Sequence, residues 1–217
     1  MSATKAGRPR RKRAGQYHHG DLRRALIEQA LRTIDAAGAD RLTLRGVGAA
    51  LGVSRTALYR HFADKEALLA AVAREGFRLL REALLEAWER DGRGAAGFEA
   101  MGVAYLRFAI DHPSHYRVMF GRFVESGERD ADLEAEAESA FGALVDALTA
   151  LQRDGLARAD DPLLQARFVW SVTHGIAMLV IDGRLRGCDE DAAALNRYTA
   201  ERLRQALSAE PAPGANR

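Results

Sequence analysis

Cysteine is nearly absent from this 217-residue chain. Cys188 stands alone, so no intramolecular disulfide can form and every cysteine-rich zinc scheme is excluded. Long apolar runs are missing too. The longest nearly apolar stretch, Phe168 to Ile181, contains His174 and falls short of the roughly 20 residues that span a bilayer. Met1 is followed by a basic run, Arg8 to Arg13, with no apolar h-region of a secretory leader. There is no G-x-S-x-G elbow, no phosphate loop ending in GK[ST] and no dinucleotide glycine fingerprint after a strand. His18-His19 are adjacent, and His112 and His115 flank Pro113 and Ser114; neither forms a helical i, i+4 pair with a third ligand at good spacing. The expectation is a soluble cytoplasmic protein that is not an enzyme and uses no metal or cofactor.

Length and composition give room for one large domain or two small ones with a real core: 47% of residues are hydrophobic. The net charge of +2 hides a division. Residues 1–64 hold 13 Lys+Arg against five Asp+Glu, a balance of +8, and the remainder carries −6. One end is suited to a polyanion and the other to a different task.

Residues 1–16 form a basic, Gly/Ala-containing arm without apolar periodicity. From Asp21, a candidate N-cap, Leu22, Ala25, Leu26, Ala30 and Ile34 follow helical spacing, and Gly38 supplies a stop. Thr43 to Leu51 reads as a short helix with Leu44, Val47 and Leu51 on one face. A glycine turn at Gly52 leads to a second short helix, Arg55 to Phe62, with Leu58 and Phe62 inward. Asp64 opens a longer helix ending near Asp91-Gly92. Gly92–Gly97 reads as a flexible break, Ser126–Gly127 as the start of a polar loop, and Asp130–Glu138 as an acidic segment leading into a helix through Leu151. Further helices are expected over Phe98 to Ile110, Tyr116 to Val124, from Pro162 to about Leu185, and from about Glu190 to Leu207. No strand alternation is long enough for a sheet, so the fold class is all-α.

The segment Thr43 to Lys65, TLRGVGAALGVSRTALYRHFADK, fits two short helices joined by a tight turn, a helix-turn-helix whose second helix enters the major groove. Its outward residues offer donors, a small apolar surface and an aromatic hydroxyl, the groups that meet base edges, thymine methyls and phosphates. Together with Tyr17-His18-His19-Gly20-Asp21-Leu22-Arg23 and the block Ala57 to Leu68, this segment resembles the TetR family of transcriptional regulators. Gly48 departs from the alanine usual there, and a mid-helix glycine costs roughly 1 kcal/mol.

Position and resemblance together give the expected DNA contacts. Thr43, at a helix start, suits a phosphate, and Arg45 reaches a base or phosphate. Ser54, Arg55 and Thr56 open the reading helix, Arg55 facing a guanine edge, and Arg60 is a second basic candidate. The resemblance places Tyr59, His61 and Lys65 on the phosphate backbone, and Arg10, Arg11, Lys12 and Arg13 of the arm could add contacts. Plainer roles exist: an exposed arginine is usually just solvated, Tyr59 could pack on the next helix, His61 could be a cap, and the arm could be a solubilising tail.

The resemblance implies an organisation of arm (1–16), helix-turn-helix domain (17–64), effector-binding and dimerisation domain (65–208) and flexible tail (209–217). In the family the helical body encloses a small-molecule pocket. The block His112 to Phe120, with Trp170-x-x-x-His174-Gly175, resembles the subgroup named for Trp, His and Gly. Met101, Tyr105, Trp170, His174 and Met178 are the pocket candidates, although ordinary core is the commoner role for such a set and a buried histidine usually finds a protein partner. Gly175 would permit close approach by a helix or ligand. The apolar stripes Phe168, Val172, Ile176, Leu179 and Leu195, Tyr198, Leu203, Leu207 exceed what one chain need bury, and the resemblance implies a homodimer reading a palindrome. The expected function is a ligand-responsive regulator, most often a repressor in this family, whose partners are double-stranded DNA, its own copy and an apolar or aromatic effector. A purely architectural DNA binder is the rival class; it needs no cavity and shows little sequence preference.

Overall fold

The structure is a computed structural model that describes residues 19–121, 130–185 and 188–208. The basic arm, Tyr17-His18, the Ser126–Gly127 loop and the tail 209–217 lie outside the described residues. Among the described residues nine α-helices follow one another: α1 (His19–Ala37), α2 (Leu44–Ala50), α3 (Arg55–Tyr59), α4 (Lys65–Arg90), α5 (Gly94–Asp111), α6 (Pro113–Met119), α7 (Ala131–Arg153), α8 (Pro162–Ile181) and α9 (Cys188–Leu207), with a 3-10 turn at Ala39–Arg41. No strand occurs among the described residues, and the fold is all-α.

Several boundaries move from their sequence-based positions. Asp21 is not a cap, because α1 already starts at His19. Residues Arg60 to Phe62 leave α3 as a turn in which His61 and Phe62 both donate to the Leu58 carbonyl. α5 begins at Gly94, absorbing most of the expected glycine break, and α6 begins at Pro113, whose missing N–H costs nothing at a first helical position. The acidic segment belongs to α7, capped by Asp130, whose carboxylate accepts from Asp132 and Leu133. α8 stops four residues early, at Ile181, because Gly183 turns left-handed (φ 64°) and the Arg184 N–H reaches back to Leu179.

α4 is the centre, packing against α5, α6 and α7, while α1 lies across α2, α4 and α6. Leu26, Leu42, Leu58, Leu68 and Leu69 are sealed at the N-terminal end and Tyr116, Val118 and Leu148 in the body, all within one continuous apolar cluster. α6 lies close on α4: a Cβ at Gly76 would collide with the Met119 side chain. Its polar residues tie it outward, Ser114 to Asp35 of α1 and Arg117 to the Ile181 carbonyl at the end of α8 (2.6 Å).

Candidate nucleic-acid interface and apolar cavity

Each turn of the helix-turn-helix has a local cause. Thr43 Oγ1 accepts the Gly46 N–H at 3.1 Å and starts α2. α2 closes with two backbone bonds, Gly52 N–H to Ala49 and Val53 N–H to Gly48, around Gly52 at φ 66°. That closure needs the left-handed region glycine tolerates. Ser54 Oγ then accepts from Ala57 to start α3, and Asp64 accepts from Ala67 at 2.8 Å to start α4. Gly48 meets Leu58 across the motif: a Cβ there would stand 2.9 Å from Leu58 Cδ2. The unusual glycine therefore lets α3 sit close on α2, and Leu58 is only 2% exposed.

Burying Leu58 and Phe62 turns the other side of α3 to solvent. Arg55, Thr56, Tyr59 and Arg60 are exposed, as are Thr43, Arg45 and Ser54; His61 is half-buried. Lys65 is partly buried, and its ammonium donates to the Asp40 carbonyl at 3.2 Å, anchoring it to the 3-10 turn.

A second feature lies among α4, α5, α7, α8 and α9: a cavity of about 370 Å³ walled chiefly by apolar side chains. Sites for small organic molecules occupy ~300–1,000 Å³. Met101, Tyr105 and Trp170 line it; His174 and Met178 do not. Phe77, Phe98, Phe120, Phe141, Leu203 and Leu207 complete much of the wall. They come from four helices and from the residue just after α6, and apart from Leu203 and Leu207 no spacing along the chain relates them.

Behind Tyr105 and Trp170 stands a hydrogen-bonded cluster. Trp170 Nε1–H donates to Tyr105 Oη (3.1 Å), the Tyr105 and Tyr116 hydroxyls are 2.9 Å apart, and His174 Nδ1 lies 2.7 Å from Tyr116 Oη and 3.2 Å from Tyr105 Oη. The Tyr116 and His174 rings also stack, 5.5 Å between centroids. Burial pushes the Tyr105 pKa up to about 12, against opposing hydrogen bonds from Tyr116 and Trp170, and raises that of Tyr116 as well. Burial lowers that of His174. All three stay uncharged near neutral pH. Tyr116, absent from the sequence-based candidates, is the most enclosed member, with no exposed surface.

α8 also carries an open apolar face. Leu164, Phe168 and Leu179 are exposed, as is Tyr198 of α9 (62%). A Cβ at Gly175, in line with them, would meet nothing within 4 Å, so the close approach expected there is not made within the chain. Leu203 and Leu207 are buried against the cavity, so half of the expected α9 stripe is used internally. By length and composition α8 is the one described helix that could cross a membrane. Its exposed Arg167, its buried Gln165 bonded to the Arg158 carbonyl, and its packing on α5, α7 and α9 make it a helix of this bundle. Among the described residues, no group of three His, Cys, Asp or Glu is placed to hold a metal.

Residues 26–72 match the family described as bacterial regulatory proteins, tetR family, and residues 98–203 match the tetracyclin repressor-like C-terminal domain. An uncharacterized HTH-type transcriptional regulator of Mycobacterium tuberculosis is 29% identical over 173 residues, covering 78% of this chain and 75% of its own. A solved structure of a protein with unknown function from Rhodococcus sp. RHA1 superposes with a TM-score of 0.79 at 30% identity, covering 88% of this chain and 98% of that one. A tetR-family regulatory protein from Rhodococcus RHA1 superposes with a TM-score of 0.67 at 18% identity, covering 87% of this chain and 98% of that one, a likeness of fold.

Proposed function

This chain belongs to the tetR family of bacterial regulatory proteins and is a DNA-binding transcriptional regulator, and from that premise we propose a cytoplasmic, ligand-responsive homodimeric repressor that leaves a palindromic operator when a small apolar or aromatic molecule fills the cavity. The observation that carries the reading is the reach of α4. The helix starts at the Asp64 cap directly after the helix-turn-helix and lines the cavity through Phe77, Leu80 and Leu84. One rigid element therefore meets both sites, and an effector acts by preferring one position of α4 over another. A preference of about 2–3 kcal/mol would weaken operator affinity roughly 30- to 150-fold.

In this reading Arg55 and Thr56 read base edges, with Arg45 and Arg60 beside them. Thr43, Ser54, Tyr59, His61 and Lys65 hold the backbone. The exposure of the α3 face supports these roles, as does the basic balance of residues 1–64. The exposed apolar row on α8, with open Gly175 at its middle, supports pairing with a second copy. Trp170 and His174 meeting in one cluster supports placing the effector half in the Trp-His-Gly subgroup. Met101, Tyr105 and Trp170 then face the effector, while His174 acts from behind Tyr105. The test is a protection footprint on the DNA adjoining the gene. The expected result is two symmetric half-sites about one duplex turn apart or a multiple of it; a single asymmetric site, or protection indifferent to unrelated competitor DNA, would count against it.

A further inference from the structure

The cavity wall is apolar except at a few places, and each can be followed to its commitments. Thr173 Oγ1 donates to the Val169 carbonyl of its own helix (2.9 Å). Arg204 is held by three hydrogen bonds to Glu201. Glu99 and Arg167 are exposed, so they stand at the opening, with opposite charges. Thr199 is a buried hydroxyl on α9. The remaining polar place is Tyr105, backed by the Trp170–Tyr116–His174 cluster.

With the shorter of the two His174 contacts, to Tyr116 at 2.7 Å and not to Tyr105 at 3.2 Å, taken as the hydrogen bond, proton counting in that cluster leaves two arrangements. Trp170 Nε1–H always donates to Tyr105 Oη, because indole nitrogen has no acceptor role. If His174 carries its proton on Nε2, Nδ1 accepts from Tyr116, Tyr116 accepts from Tyr105, and the Tyr105 oxygen keeps one lone pair. If the proton sits on Nδ1, it donates to Tyr116, Tyr116 donates to Tyr105, and the Tyr105 O–H is left to donate elsewhere. The 2.7 and 2.9 Å distances suit either direction. A shift of one proton between the ring nitrogens of His174 thus reverses what Tyr105 offers, without any net charge.

The geometry points to Tyr105 as the polar anchor of the effector site, with Tyr116 and His174 as positioning residues that let it act as donor or acceptor, and to the effector as an uncharged, largely apolar molecule with a single hydrogen-bonding group of either kind. This rests on the cavity being the effector site of the proposed regulator. The buried corner disfavours a charged head group: a carboxylate brought there would lose its hydration and meet no cation. An apolar molecule with no polar atom would leave the Tyr105 group that faces it unpaired.

Isothermal titration of the full chain with four tricyclic probes of one shape tests this. Fluorene has no hydrogen-bonding group, carbazole only donates, 9-fluorenone only accepts, and 9-fluorenecarboxylate is an anion. Carbazole and fluorenone should each bind about tenfold more tightly than the other two, and within about threefold of each other. Tyr105→Phe should erase the difference among carbazole, fluorenone and fluorene, bringing the three within about threefold of one another, while Thr199→Val keeps the ranking. The inference is overturned if fluorene matches the polar probes, if only one of carbazole and fluorenone gains, or if the carboxylate binds tightest, which would pass control to Arg167. It is overturned equally if Thr199→Val rather than Tyr105→Phe removes the preference, or if none of the four binds. Should Tyr105→Phe not fold, the ranking on the unaltered chain still decides. The regulator reading fails separately: the expected ranking would hold, yet saturating fluorenone would leave the DNA footprint unchanged.

Discussion

Ser114 Oγ donates a 2.8 Å hydrogen bond to Asp35 Oδ1, joining residues 79 apart in the chain. The bond fastens α6, whose Tyr116 belongs to the cluster behind the cavity, to the last turn of α1, which packs on α2. Ser114→Ala should lower stability by about 1 kcal/mol, since exposed Asp35 regains water when its donor is lost. Beyond that loss, the ratio of operator affinities measured with and without effector should move toward one. An unchanged ratio would take this bond out of the coupling.

Arg55→Ala should cost about 1–3 kcal/mol at the operator and relax the choice at one base position. Lys65→Ala should weaken all sequences alike and lower the salt slope by roughly one unit. Binding titrations at several salt concentrations separate the two. Equal loss on random DNA for Arg55→Ala would remove it from base reading. Because the Lys65 ammonium also holds the Asp40 carbonyl, its variant should show a small drop in thermal midpoint that Arg55→Ala lacks.

A charge placed on the open face of α8 should separate the proposed protomers. Phe168 is 49% exposed in the single chain, so Phe168→Glu costs that chain little while burying an unpaired carboxylate in any interface there. Sedimentation equilibrium should find a monomer that retains its circular dichroism spectrum. A dimer of unaltered affinity would place the interface elsewhere.

His115 gives stability a pH dependence. Burial, with His112 adding a smaller push, lowers its pKa to about 4, and its Nε2 is enclosed without a hydrogen-bond partner. An ordinary unfolded histidine titrates near 6.5, so between about pH 6.5 and 4 the unfolded chain binds a proton that the folded chain refuses. Stability therefore falls as pH drops through that window, by up to about 3 kcal/mol for this group. His174, also lowered, adds to the same trend. The urea midpoint should decline from pH 7 to 4.5, and His115→Phe should flatten the decline.

The DNA-binding end was legible because its determinants are local. Thr43 and Asp64 as caps, Gly52 as the turn and Leu58 as the inward residue each follow from neighbours a few positions away, as does the side of α3 left in water. The helix ends strayed where a competing local bond intervened, as at Gly183, or where acidic residues suited a first turn, as after Asp130. The C-terminal half was less legible. Tyr105 and Tyr116 are 11 residues apart across a helix break, and His174 lies 58 residues beyond Tyr116. Their meeting depends on how α5, α6 and α8 cross, which no periodicity within one helix encodes. Lys65 shows the same limit, since its bond to Asp40 depends on the 3-10 turn folding back beside α4.

α9 serves two sides at once. Thr199, Leu203 and Leu207 close the cavity, the Arg158 N–H pins the helix end through the Leu207 carbonyl, and Tyr198 looks outward. If a second copy covers Tyr198, dilution and effector uptake become linked by mass action: splitting the pair loosens the same helix that seals the bound molecule. The effector dissociation constant would then rise as the protein is diluted, so the threshold for response would depend on how much of the regulator the cell holds.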